Sequence, residues 1–150
     1  MEILVKLPDE RPRLKAALFD FDGTLSTLRY GWESIMEPMM LEMISGRYPP
    51  DDRLISEVRE YIDKSTGIQT IYQMQWLSEA VKRYGRNRYM PDDPWWYKYE
   101  YNRRLMKMVE KRKAEVLKGN KSPEEYLIKG SRAFLEALLN KGIEIYVASG

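Results

Sequence analysis

Cysteine and histidine are both absent from the 150 residues of this chain. Without cysteine, the chain has no disulfide, no thiol nucleophile and no cysteine-ligated zinc site. Without histidine, it has no Ser-His-Asp triad, no imidazole metal ligand and no imidazole proton shuttle. Any acid–base chemistry therefore falls to carboxylates, lysine or tyrosine.

The chain also lacks an excess of charge of one sign, because 25 lysines and arginines face 23 aspartates and glutamates, for a net charge of +2. Basic residues do cluster after the aromatic run Trp95 to Tyr101, and basic side chains interleaved with rings can bind nucleic acid. Their spacing instead predicts the polar face of an amphipathic helix, which Glu110 and Glu115 interrupt. We therefore expect no nucleic-acid partner. The predicted basic face comprises Arg103, Arg104, Lys107, Lys111, Arg112, Lys113, Lys118 and Lys121.

Long apolar runs are missing as well. The first residues, Met1 to Pro8, contain no basic leader, and their apolar stretch is too short for a signal peptide or a membrane span. We therefore expect no membrane partner and a cytoplasmic location.

The segment from Ala16 to Ser26 joins an apolar run to two carboxylates and a Gly-Thr turn. This pattern predicts a strand that is buried on both faces and ends in a loop, with Gly23 allowing the sharp departure. Asp20 and Asp22 then lie at the carboxyl end of the strand, where open α/β sheets place their ligand sites. The side chains expected to fill the covered strand are Ala17, Leu18, Phe19 and Phe21.

Two carboxylates one residue apart suit phosphoryl transfer. One can attack phosphorus to form an aspartyl-phosphate while the other moves the proton. The pair also attracts Mg²⁺, which prefers oxygen ligands and commonly bridges to a substrate phosphate. The alternative is structural: turns rich in Asp and Gly are common, and the same residues can simply end a strand.

The string Asp20-Phe21-Asp22-Gly23-Thr24-Leu25 resembles the first motif of the haloacid dehalogenase (HAD) superfamily, most of whose members are Mg²⁺-dependent phosphatases. The resemblance implies that Asp20 is the nucleophile and Asp22 the general acid/base. It also implies that an oxygen of Asp20 and the carbonyl of Asp22 are metal ligands. Gly23 and Thr24 would belong to the phosphate-binding loop.

The segment from Gly142 to Gly150 resembles the second strand of that superfamily. Apolar residues at helical spacing from 131 to 140 predict a helix directly before it, and a helix followed by a strand is the second half of a βαβ unit. We therefore expect a strand over 143–148 that runs parallel to 16–20. The resemblance implies that Ser149, with Gly150, binds the transferring phosphate beside Asp20.

Between the two motifs, residues 29–129 are helical in pattern. The periodicity predicts helices near 32–44, 52–64, 68–84 and 95–118, and a short helix start at Ser122. A helical insertion just after the nucleophile loop resembles the C1 cap of phosphoglycolate phosphatase-like HAD members. The expected fold class is thus α/β, with a helical cap formed by 29–129. The expected HAD-like Rossmannoid core is discontinuous, formed by residues 1–28 and 130–150, and incomplete, because only its N-terminal part is present.

Substrate-contacting residues are expected in the cap, because a cap excludes water and selects the leaving group. Arg29 and Trp32 follow the catalytic loop closely, and Thr66 and Gln69 lie in a small polar turn that opens a helix. The alternative for the turn is an ordinary helix N-cap. The methionine-rich stripe from Met36 to Met43 is typical of a helix core rather than of a docking groove.

The pattern of this superfamily also needs a lysine and a further acidic motif after the second strand, and Lys129 and Lys141 precede that strand. Three explanations stay open: a piece of a longer enzyme, a premature stop, or completion by another chain. We expect a Mg²⁺-dependent phosphatase that acts on a small phosphorylated metabolite, with transfer to another acceptor also open. The alternative is a non-catalytic fragment or subunit that associates with a second copy or a completing partner chain.

Overall fold

The structure is a computed structural model that describes residues 13–148. These residues form a mixed α/β arrangement that is mostly helical, with five α-helices and one two-stranded parallel sheet. None of the described helices is long and apolar enough to cross a membrane. In chain order the elements are β1 (Ala16–Asp20), α1 (Glu33–Ser45), α2 (Asp52–Lys64), α3 (Thr70–Tyr84), α4 (Pro94–Leu117), a 3₁₀ turn (Pro123–Tyr126), α5 (Ser131–Asn140) and β2 (Glu144–Ala148).

The described chain divides into two compact units. The sheet unit contains residues 13–27 and 126–148, and the helical unit is Leu28–Glu125. Backbone bonds between the two segments of the sheet unit explain where the division falls. Thr27 N–H donates to the Tyr126 carbonyl (2.8 Å), and Ile128 N–H donates to the Leu25 carbonyl (2.9 Å). The chain therefore leaves and re-enters the sheet unit along one short antiparallel ladder.

The two strands of the sheet unit pair in parallel, which confirms the predicted pairing. Ala16 is the register partner of Glu144, and Asp20 is the register partner of Ala148. A parallel pair needs a crossover connection, and α5 directly precedes β2. The ring of Phe134 on α5 meets Phe19 edge to face, with centroids 6.0 Å apart. This contact places α5 on the face of the sheet that carries Phe19.

The prediction that β1 is buried on both faces is wrong for the described residues. Leu18 is 71% exposed, and Tyr146 and Val147 on β2 are also exposed. Side chains alternate across a strand, so Ala17 and Phe19 point towards α5 and are half-buried, while Leu18 points to the opposite face. No described element of this unit packs on that opposite face.

The helical unit has its core where the apolar stripes of α1 to α4 meet. Met36, Met39 and Met40 on α1 are fully buried, which confirms the interpretation of the methionine stripe as core. Met is unbranched and flexible, so a row of methionines fills the irregular gaps among three neighbouring helices. The partners in this core include Leu54 and Val58 of α2, Met74 and Leu77 of α3, and Tyr97, Tyr101 and Leu105 of α4.

Local signals set the ends of these helices, and the predicted α1 to α5 are confirmed to within two residues. Asp51 accepts a hydrogen bond from Leu54 N–H at 2.9 Å and caps α2. The side chain of Asp93 caps α4 by accepting a hydrogen bond from Trp95 N–H, and Pro94 is the first residue of that helix. The helix start at Ser122 produces only a four-residue 3₁₀ turn.

A nearly buried carboxylate on α4 holds the arginine that joins α4 to α1. Glu100 accepts hydrogen bonds from Arg103 (2.6 and 2.7 Å) and from Arg104 (2.7 Å). Arg104 also donates to Glu42 on α1 at 2.8 and 3.0 Å. The hydrogen bonds from Arg103, with those from Arg104, lower the pKa of Glu100 to about 2.

This network predicts that stability is lost in acid. A lowered pKa means that Glu100 contributes stability above its ordinary value of 4.5 and loses it as the pH falls towards 2. We expect Glu100→Gln to lower the free energy of unfolding at pH 7 by at most about 3 kcal/mol and to match the wild type near pH 2. Urea unfolding at several pH values measures both quantities. The control is Glu110→Gln, which removes an exposed carboxylate from the same helix and should keep the wild-type slope. An unchanged slope in Glu100→Gln would contradict the assignment.

Candidate functional site

The loop after β1 is a tight structure held by its own backbone. Leu25 N–H and Ser26 N–H both donate to the Phe21 carbonyl, at 3.0 and 2.9 Å, and Gly23 N–H donates to the Ser26 carbonyl at 2.8 Å. Gly23 has φ 78°, a conformation that a side chain disfavours. Leu25 and Ser26 are buried and anchor the loop, while Gly23 and Thr24 are exposed.

This loop presents the two predicted catalytic carboxylates at the carboxyl end of β1. Asp20 is exposed and Asp22 is half-buried. The Thr24 hydroxyl donates to Oδ2 of Asp20 at 3.1 Å, so one carboxylate oxygen is oriented by the loop. The other oxygen, Oδ1, is left for a ligand or an electrophile.

The register of the sheet brings the end of β2 beside the loop. Asp20 pairs with Ala148, the last residue of β2. Ser149 and Gly150, the predicted phosphate-binding residues that come next in the chain, lie outside the described residues. Parallel strands end at the same edge of a sheet, so Ala148, the last described residue, lies at the edge that carries Asp20.

The donor set at this edge is small. Asp20 and Asp22 supply two carboxylates, and the backbone carbonyl of Asp22 is a further oxygen. Mg²⁺ is usually held by one or two carboxylates together with water and substrate phosphate, so these donors fit that ion. Within residues 13–148 no group of three or more acidic side chains is placed to hold a metal by itself.

The four predicted substrate residues all belong to the helical unit. Arg29 is half-buried, and Trp32 packs partly against the core of that unit. The Thr66 hydroxyl donates to the Ile62 carbonyl at 3.1 Å, at the end of α2. Gln69 occupies the N-cap position of α3, but its side chain makes no capping bond. Trp32 and Thr66 thus each have a structural contact.

The turn that contains Thr66 and Gln69 is held by a residue that sequence reasoning missed. Gln73 is buried, and its side-chain amide donates to the Ser65 hydroxyl (3.0 Å) and the Ser65 carbonyl (3.3 Å). These bonds tie the first turn of α3 to the end of α2. Helix α3 begins at Thr70 rather than at the predicted Ile68.

Arg112 is the second residue that sequence reasoning missed. The helical spacing assigned it to a solvated basic face, but that assignment is wrong for this residue. Its guanidinium donates to the carbonyls of Leu28 (2.7 Å) and Tyr30 (2.8 Å). Arg112 therefore fixes the first segment of the helical unit to α4, and Arg29 lies within that segment. A sequence pattern holds no signal for such a bond because the partners are 84 and 82 residues apart.

No protein-family model, curated protein or solved structure matches the chain. The structure itself shows a mixed α/β architecture. The resemblance to the HAD superfamily rests on the sequence motif and on the layout of the chain alone.

The Arg112 bonds predict a measurable effect on segment 28–30. Arg112→Gln removes both hydrogen bonds, and bonds from a charged donor are worth about 1.5–3 kcal/mol. We expect the segment to open at least about tenfold more often, which hydrogen exchange and trypsin cleavage after Arg29 both report. Lys111→Gln removes an exposed charge from the same helix and serves as the control. Equal protection in both variants would contradict the role of Arg112.

Proposed function

We propose that this chain carries the reacting groups of a Mg²⁺-dependent phosphatase that acts on a small phosphorylated metabolite. The observation that supports the proposal most is the segment of residues 20–26, which presents the carboxylates of Asp20 and Asp22 at the carboxyl end of a parallel strand. The proposed finer architecture is a HAD-like core with a helical C1 cap. The helical unit Leu28–Glu125 follows the loop directly, which agrees with that layout.

In the proposed reaction, Oδ1 of Asp20 attacks phosphorus and the bond from phosphorus to the leaving oxygen breaks. Asp22 donates a proton to that leaving oxygen. Asp22 then takes a proton from a water molecule, which attacks the aspartyl-phosphate and releases inorganic phosphate, so Asp20 is regenerated. The bond from Thr24 to Oδ2 of Asp20 keeps the carboxylate oriented throughout.

A bound Mg²⁺ would offset the negative charge of the phosphate and of the two carboxylates. Asp20 and the carbonyl of Asp22 are the proposed ligands. The proposed phosphate contacts are Gly23, Thr24, Ser149 and Gly150, and the proposed substrate contacts are Arg29, Trp32, Thr66 and Gln69.

A second candidate function is a non-catalytic binding subunit. The exposed apolar side chains of the sheet unit favour it, because Leu18 and its register partner Tyr146 lie on one face, which another chain can cover. In that case the occupant is a second copy or a partner that completes the sheet. Molecular mass in solution distinguishes a self-associating chain from a monomer.

The phosphatase proposal predicts Mg²⁺-dependent release of phosphate from a panel of sugar phosphates and phosphoglycolate. We expect Asp20→Asn to abolish release because the nucleophile is lost. We expect Asp22→Asn to slow it by about 10²–10⁴-fold because proton transfer is lost. Mass spectrometry should find phosphate on Asp20, and the adduct should persist longer in Asp22→Asn.

Asp63→Asn is the matched control, because it removes an exposed carboxylate from α2. Its rate should equal that of the wild type. Release that survives Asp20→Asn would contradict the proposed nucleophile. If the wild-type chain neither releases phosphate nor binds beryllofluoride, a mimic of the aspartyl-phosphate, the binding-subunit function is favoured instead.

A further inference from the structure

Helix α4 carries a row of exposed apolar side chains along its outer face. These side chains are Trp95 (64% exposed), Tyr99 (68%), Met106 (40%) and Leu117 (78%). Trp95, Met106 and Leu117 follow one another at intervals of eleven residues, which is close to a whole number of helical turns. Single exposed apolar residues are ordinary, but a row of them on one helix face marks an interaction surface.

Three exposed polar residues complete this surface, which we call the α4 stripe. The α4 stripe consists of Trp95, Tyr99, Asn102, Met106, Glu110, Lys113 and Leu117. At 3.6 residues per turn, these residues lie within an arc of about 80°. The side chains that α4 gives to the core, among them Tyr97, Tyr101 and Leu105, lie on the other side of the helix. The α4 stripe is therefore separate from the core of the helical unit.

The spacing of the α4 stripe is symmetric about Met106. From Met106 towards either end, the next members follow after four, three and four residues. Two α4 helices that pack antiparallel about Met106 therefore bring each member opposite its counterpart on the other side of that residue. The two Met106 side chains meet at the centre, and Trp95 of one copy faces Leu117 of the other. The apolar members thus contact one another over the length of the helix.

The polar members also complement one another in this arrangement. Asn102 faces Glu110 of the other copy, and an amide N–H₂ group donates to a carboxylate. Tyr99 faces Lys113, and an ammonium group is attracted to the face of an aromatic ring. Within one helix, Glu110 and Lys113 lie 3.8 Å apart, so the stripe carries no net charge. Parallel packing would instead bring each glutamate and each lysine opposite its own copy, which like-charge repulsion disfavours.

We propose that the α4 stripe is the interface between two copies of this chain, with the α4 helices antiparallel and Met106 on the two-fold axis. A surface that complements itself is the requirement for such a symmetric interface. Two copies would bury on the order of 1,000 Å² here, which is the lower limit for a specific interface. We therefore expect a reversible dimer rather than an obligate one.

The first experiment is analytical ultracentrifugation of the full chain from about 1 to 500 μM, where we expect a monomer–dimer equilibrium. Met106→Lys places two positive charges on the two-fold axis and should weaken the dimer by about thirtyfold or more. Because Met106 is partly exposed, this variant should keep the helical content of the wild type, which circular dichroism checks. Met106→Leu keeps an apolar side chain at the centre and should dimerise as the wild type does.

A second measurement tests the orientation of the two helices. The chain has no cysteine, so Lys107→Cys and Lys118→Cys each provide one site for a spin label. In the antiparallel dimer, the labels at 107 lie close together beside the axis. The labels at 118 lie about 36 Å apart along the helices, because each is twelve residues from Met106. Short distances at both sites would mean parallel packing and would contradict the proposed interface.

Two further results would overturn the proposal. One is a monomer at every concentration. The other is a dimer that survives Met106→Lys, and Leu18→Lys then shows whether the exposed face of the sheet unit holds it instead. The interface contains none of the residues proposed for the phosphatase, and its test does not measure phosphate release. Its outcome is therefore independent of that proposal.

Discussion

The short antiparallel ladder between residues 25–27 and 126–128 is the constraint on which the rest of the structure depends. It closes Leu28–Glu125 into a loop whose two ends are hydrogen-bonded side by side. Closing a long loop costs entropy only logarithmically with its length, so a few backbone bonds and the packing on either side offset that cost. With the ends fixed, β1 and β2 pair in parallel although the whole helical unit separates them along the chain.

The same ladder also supports the loop that holds the carboxylates at the sheet edge. It begins directly after the loop that carries Asp20 and Asp22, so those carboxylates are held by backbone bonds rather than by a long side-chain network. The helical unit is stabilised separately, by its methionine-rich core and by the arginine–glutamate bonds between α1 and α4. Because each unit has its own stabilising contacts, we expect substitutions in the helical core to leave the loop after β1 folded.

Most of the helices and both strands were predictable from sequence because their signals are local. Asp51, Asp93 and Gly85 mark helix ends through bonds or backbone angles that involve only their near neighbours. The periodicity of the methionine stripe identified the buried face of α1 for the same reason. The motif from Asp20 to Thr24 was visible as a loop, and Thr24 does donate to Asp20.

The sequence by itself thus determined the helices, the strands and the carboxylate loop, since each depends on residues a few positions apart. The parallel pairing was predictable because a helix directly precedes β2. Only the tertiary structure decided which faces are covered and which distant groups meet. Leu18 is apolar yet exposed, because burial depends on whether another element packs on its face. Lys111 and Arg112 are neighbours in the predicted basic face, but Lys111 is exposed whereas Arg112 bonds two backbone carbonyls. Such differences arise from long-range contacts, which local spacing does not encode.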